Sequence, residues 1–198
     1  MLHTLFATRL YSADVGSPAL LEQLSKSIRA LADDDRAGRA WSKDHGYPGY
    51  TSYASLNDLP KRDPAFADLA RRLTGHAVSF ASECAFDLAR KPKLDSLWVN
   101  LLRGSGHHSA HIHPHSIISG TLYVAVPKGS GAIRFEDPRL PMMMAAPPRR
   151  KDAPEDLQSF VTVEPRSGLL LMWESWLRHE VLRGNGKAER LSISFNFA

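Results

Sequence analysis

Cysteine is almost absent from this 198-residue chain: Cys84 stands alone, so no intramolecular disulfide can form and no Cys-x-x-Cys pair offers structural zinc or a redox couple. A reducing, cytoplasmic setting is expected. Long apolar runs are missing too. Nothing approaches the ~18 uninterrupted apolar residues of a membrane span, and the N-terminal stretch, broken by His3 and Arg9, lacks the apolar core of a signal peptide. Charge of one sign does not dominate either, with 25 Lys and Arg against 21 Asp and Glu for a net +4. A pI near 9.3 would suit nucleic acid, yet the basic residues are scattered, and the one tight run, Arg149-Arg150-Lys151, is followed by Asp152, Glu155 and Asp156. Neither nucleic acid nor a membrane is expected as a partner.

What is present is ordinary globular composition, with 43% hydrophobic and 23% charged residues, and enough chain to bury roughly 70% of its unfolded surface. No staple is needed. Ser17 and Pro18 suit the cap and first turn of a helix over 17–35, with Leu20, Leu21, Leu24, Ile28 and Leu31 at helical spacing. Asp44 to Leu59 reads as irregular connection. Asp63-Pro64 opens a second helix to about Arg90, carrying Phe66, Leu69, Leu73, Phe80, Cys84 and Leu88. From about residue 96 the pattern becomes short apolar runs between turn signals: 97–102, 117–126, 132–135, 160–163, 169–173, 179–182 and 191–197. These predict strands of a sandwich or barrel of jelly-roll type. The chain is therefore read as one domain, 1–198, mainly β, with a helical N-terminal part (1–95) packed on a β core (96–198). A Pro- and Met-rich loop over 137–157, with Met142, Met143 and Met144 in a row, interrupts that core.

Nine histidines are the conspicuous excess, and four of them fall between positions 107 and 113. His111, His113 and His115 alternate with Ile112 and Pro114, so on an extended strand all three imidazoles share a face. Two of them could then reach one metal ion, as strand-borne His-x-His pairs do. A His-rich polar strand is the ordinary alternative. His179, between apolar runs, offers a distant third ligand, and Arg190 follows it. The last strand alternates, with Leu191, Ile193, Phe195 and Phe197 on one face and Arg190, Ser192, Ser194 and Asn196 on the other. Arg190 with the Ser192 hydroxyl could grip a carboxylate in bidentate fashion.

The order His-x-His, a distant His and then Arg-x-Ser resembles the iron(II)- and 2-oxoglutarate-dependent dioxygenases. More narrowly, residues 111–124, Gly168 to Trp173, His179-Glu180-Val181 and 190–196 look like a bacterial and phage group of 2-oxoglutarate/iron oxygenases of unassigned substrate. Trp98-Val99-Asn100, Asp137-Pro138-Arg139 and the 5–8 start resemble that group as well. The resemblance implies a double-stranded β-helix of jelly-roll, cupin-like form. It further implies iron held by His111, His113 and His179, and 2-oxoglutarate anchored by Arg190 and Ser192, with Asn100 and Tyr123 as further lumen contacts. Partners would be 2-oxoglutarate, O2 and a primary substrate, and a homodimer is compatible. The wider superfamily places Asp or Glu where this chain has His113, giving a neutral third ligand. A register using His113 and His115 stays open.

The remaining candidates have plainer readings. His107 and His108 follow Gly104-Ser105-Gly106 as a loop entering the metal strand, His45 and His76 as ordinary polar positions, and Cys84 as a small core residue. Glu136 and Glu174 are the available carboxylates. A cupin-like enzyme such as a thiol dioxygenase or isomerase is the rival reading, but its pattern calls for Glu where Ile117 and Ile118 stand. A metal- or ligand-binding barrel without turnover is the third.

Overall fold

A computed structural model describes residues 1–198. In chain order the elements are β1 (Leu10–Asp14), α1 (Pro18–Asp34), α2 (Arg36–Asp44), β2 (Gly49–Thr51), α3 (Leu59–Arg62) and α4 (Pro64–Glu83). They are followed by β3 (Leu94–Leu102), β4 (His108–His111), β5 (Ile118–Ala125), β6 (Ile133–Glu136), β7 (Phe160–Val163), β8 (Leu169–Glu174), β9 (His179–Val181) and β10 (Arg190–Phe197). All the strands pair antiparallel, in a major sheet ordered β1-β8-β5-β10-β3-β2 and a minor sheet ordered β4-β9-β6-β7. No helix is long and apolar enough to cross a membrane.

The two long helices begin where their caps dictate. The Ser17 hydroxyl accepts from Leu20 N–H and the Asp63 carboxylate from Ala65 N–H, each with Pro at the first turn. Asp63 also accepts from Ser27 Oγ at 2.5 Å, which ties α1 to α4. Leu24 and Ile28 of α1 and Leu69, Leu73 and Phe80 of α4 pack with Leu97, Val99, Leu191, Ile193, Phe195 and Phe197 in one core on the outer face of the major sheet. That burial, more than helix propensity, holds the helices in place.

Two expectations need correction. The second long helix ends at Glu83, short of Arg90: Phe86 N–H bonds back to Ala81 O at 3.0 Å, Ala85 takes positive φ, and the Phe86 ring returns onto Phe80. The stretch read as irregular connection holds the end of α2 and the strand β2. Its β2 is a short edge strand on β3, and Gly49 there passes so close to Leu101 O that a Cβ would lie 2.0 Å from it. Residues 10–14, for which no element was expected, form β1 because β8 offers them a free sheet edge. The 137–157 loop contains two short 3-10 turns, and Leu140, Met143, Pro147, Arg149, Gln158 and Phe160 are among the residues around a surface cavity of about 330 Å³ at it.

Between the sheets lies the lumen. Strand alternation turns Trp98, Asn100, Ser119, Thr121, Tyr123, Arg190, Ser192, Ser194 and Asn196 toward it, opposite the helix-covered face. A smaller apolar cluster, including Ile133, Phe135, Leu171, Trp173 and Leu177, bridges the two sheets there.

Candidate metal centre and cosubstrate chamber

His111 ends β4 and His179 opens β9, and the two are direct cross-strand partners. Their imidazoles therefore emerge side by side, with centroids 4.5 Å apart. His113 arrives differently from the extended strand expected of it. The strand stops at His111, and the His113 N–H donates to Ser175 O at 3.0 Å, which swings its ring parallel to His179 with Nε2 to Nε2 at 3.4 Å. Ser175 is itself held by the Ser119 hydroxyl at 2.7 Å, and Ser119 donates to Asn196. The ligand nitrogens of His111, His113 and His179 all lie within 4.8 Å of one another. His115 falls outside this group, exposed and turned away at φ 70°.

The tautomers follow from the neighbours. His111 Nδ1 faces Ser109 O at 2.7 Å and His179 Nδ1 faces Leu177 O at 2.9 Å. A carbonyl only accepts, so both rings carry Nδ1–H and present a bare Nε2 to the common point. Burial pulls the His179 pKa down to about 3 and that of His113 to about 4, so both rings are neutral at physiological pH. Neutral, pre-aimed imidazoles with backbone carbonyls behind them suit a divalent metal. Neither carboxylate candidate joins them: Glu136 accepts from Arg178 Nε at 3.2 Å and Glu174 from Trp176 Nε1 at 2.9 Å. Trp173 packs edge-on against His179 at 4.6 Å, and Trp98 lies 6.0 Å from His113. Ile112, between two of the ligands, and Trp176, next to Ser175, are exposed.

Deeper in the lumen sits Arg190, only 5% exposed and with no carboxylate partner. Its Nη1 donates to Gly131 O at 2.9 Å, while Nε is buried without any partner. A Cβ on Gly131 would lie 1.8 Å from Leu182 O, so only glycine fits at that anchor. The guanidinium carbon lies 5.7 Å from the centre of the Tyr123 ring, whose hydroxyl is also buried and unpartnered. Burial pushes that phenol up to about 12. Ser192 lies between Asn100 of β3 and Tyr123 of β5 in the ladder. Asn100 itself is engaged at both ends: Oδ1 accepts from Thr51 Oγ1 (2.9 Å) and Tyr47 (3.1 Å), and Nδ2 donates to Ser194 (3.0 Å).

An uncompensated buried cation with orphaned donors around it is costly unless an anion completes it. The fit to a dicarboxylate beside a metal is therefore chemical as well as topological. A family profile described as "Putative 2OG-Fe(II) oxygenase" matches residues 96–196, just over half of the chain. The chain belongs to the 2OG-Fe(II) oxygenases. Members of that family use iron(II) and 2-oxoglutarate, and the double-stranded β-helix of this oxygenase is shared by solved structures. A Pseudomonas putida prolyl-4-hydroxylase is 17% identical, over 96% of this chain and 92% of that one, with a TM-score of 0.62. The epimerase SnoN from nogalamycin biosynthesis, solved with Fe3+, alpha ketoglutarate and nogalamycin RO, is 16% identical over 96% and 79%, with a TM-score of 0.67. HygX from Streptomyces hygroscopicus, solved with nickel and 2-oxoglutarate, is 14% identical over 97% and 82%, with a TM-score of 0.59. At these identities the likeness is one of fold. No curated protein sequence matches this oxygenase.

Sequence reasoning did not single out Tyr47, and it placed His108 on a loop. His108 opens β4 and points inward, and Tyr47 reaches it from the segment read as irregular. Burial draws the His108 pKa down to about 3 and raises that of Tyr47. Nothing in a Tyr-Pro-Gly-Tyr run marks a lumen residue, since its inward turn depends on β2 pairing with β3. His76 and His45 have the ordinary roles expected: His76 Nδ1 meets Tyr11 OH at 2.8 Å, and His45 stacks on Trp41.

Proposed function

We propose that this oxygenase holds iron(II) on a three-histidine face, His111, His113 and His179, and hydroxylates a C–H bond of its primary substrate, releasing succinate and CO2. Arg190 and Ser192 would take the far carboxylate of 2-oxoglutarate, with Tyr123 beside them and Asn100 bracing the wall. When bound, iron(II) and 2-oxoglutarate supply the chemistry, coupling O2 reduction and oxidative decarboxylation to substrate oxidation. The chain's residues position and exclude. Carbonyls 109 and 177 hold the ligand rings in one tautomer, Trp98 and Trp173 wall off water, and Arg190 gives the cosubstrate a single orientation. The neutral His113, in place of a carboxylate, leaves the centre one unit more positive. In this reading residues 1–198 act as one unit in the cytoplasm, helices 18–83 backing the barrel.

The observation that carries the reading is Arg190, a buried cation without an anion in the same lumen as three converging imidazoles. Anaerobic addition of iron(II) and 2-oxoglutarate to the purified protein should give a weak visible charge-transfer band, absent from His179→Ala. Bound iron without that band in the intact protein would overturn the assignment.

A further inference from the structure

The family-matched half does not close the chamber by itself. Between α2 and β2 the chain folds inward at Tyr47, whose N–H donates to Ser42 O at 2.7 Å and whose ring lies 5.5 Å from that of His108. The Tyr47 hydroxyl meets Asn100 Oδ1 at 3.1 Å and His108 Nε2 at 2.8 Å. A phenol has one proton, and the Asn100 carbonyl oxygen only accepts. Both contacts are satisfied together when Tyr47 donates to Asn100 and His108 donates its Nε2–H to Tyr47.

Asn100 Oδ1 also accepts from Thr51 Oγ1 at 2.9 Å, so it stays bonded if Tyr47 turns its proton elsewhere. The Tyr47 oxygen is thus pinned by His108 while its proton is free to rotate. Asn100 is the cross-strand partner of Ser192, two residues from Arg190 on the same lumen face, so the Tyr47 hydroxyl that Asn100 holds shares that face with Arg190 and Tyr123. An anion drawn to Arg190 therefore arrives where a spare proton is held ready.

We infer that Tyr47 is a cosubstrate-binding residue: held by His108, it turns its proton from Asn100 onto the carboxylate that Arg190 attracts. The inference rests on reading the chamber as the 2-oxoglutarate site. It makes cosubstrate affinity depend on a segment far outside residues 96–196, and it gives Thr51 a positioning role, because Thr51 is the donor that lets Tyr47 leave Asn100.

The test is calorimetric titration of the nickel-loaded protein with 2-oxoglutarate and with pyruvate, which keeps the 2-oxo acid but lacks the distal carboxylate. Tyr47→Phe keeps the ring and removes the proton. It should weaken 2-oxoglutarate about tenfold, the usual worth of a hydrogen bond to a charged group, with pyruvate and nickel affinity unchanged. Thr51→Val should weaken 2-oxoglutarate about threefold in the wild-type background and have no effect in the Tyr47→Phe background. Equal losses for both oxo acids would reduce Tyr47 to a structural residue and overturn the inference. Arg190→Met separates the two levels. If it binds 2-oxoglutarate like the wild type, the chamber assignment fails; if it loses binding while Tyr47→Phe does not, only the role of Tyr47 fails.

Discussion

Strand β10 exposes the two faces of the major sheet to direct comparison. Leu191, Ile193, Phe195 and Phe197 look out toward α1 and α4, while Arg190, Ser192, Ser194 and Asn196 look into the lumen. Seven of the eight are buried, so burial does not separate the faces. Pairing does. The outer face fills its space with carbon, and Asn196 and Ser194 on the inner face have protein partners, but Arg190 Nε has none. A protein optimised for stability alone would not keep that arrangement. The outer face holds the fold together, and the inner face keeps buried donors, Arg190 Nε and the Tyr123 hydroxyl, without protein partners.

Substitutions on the two faces should therefore fail in different ways. Phe195→Ala opens a cavity under the helices and should lower unfolding free energy by about 3–5 kcal/mol in a denaturant titration, with the 2-oxoglutarate affinity of the folded fraction unaltered. A parallel loss of affinity would mean that the two faces are coupled through the strand. Arg190→Met should do the opposite. Binding of 2-oxoglutarate should fall by about a hundredfold or more, as for a buried charge partner removed, while the ligand-free protein melts at the same or a higher temperature because an unpaired cation has gone. A lower melting temperature would show that Arg190 supports the fold. The smallest effect belongs to a face of a third kind, the outer side of the minor sheet, where Arg134 donates to Glu180 at 2.8 Å beside Phe160. Glu180→Gln should cost less than about 1 kcal/mol. A larger loss on thermal melting would mark that surface as shielded from water.

The same contrast explains what the sequence made legible. The helix starts at Ser17-Pro18 and Asp63-Pro64 and the alternation of β10 are local signals, and each corresponds to an observed element. His111, His113 and His179, which the fold brings together, stood out through their spacing, and Arg190 and Ser192 through the alternation of β10, whereas Asn100 and Tyr123 came only from the family resemblance. What stayed hidden was set by long-range pairing. β1 exists because β8 has a free edge, β2 because β3 does, and His113 is aimed by the carbonyl of Ser175, 62 residues away, after its own strand has ended. Tyr47 and His108 share that fate, since neither means anything until the two strands that carry them face each other.

Gly131 draws these threads to one point. Its carbonyl is what Arg190 leans on, and its Cα faces the main chain at Leu182 with no room for a side chain. The seat of the guanidinium is thus made of backbone on both sides. Substitution at this position cannot retune the reach of Arg190 by degrees; an alanine must lift the whole turn. If Arg190 seats the cosubstrate as proposed, any drift in the preferred length of the acid would have to come from its side-chain neighbours rather than from this backbone seat.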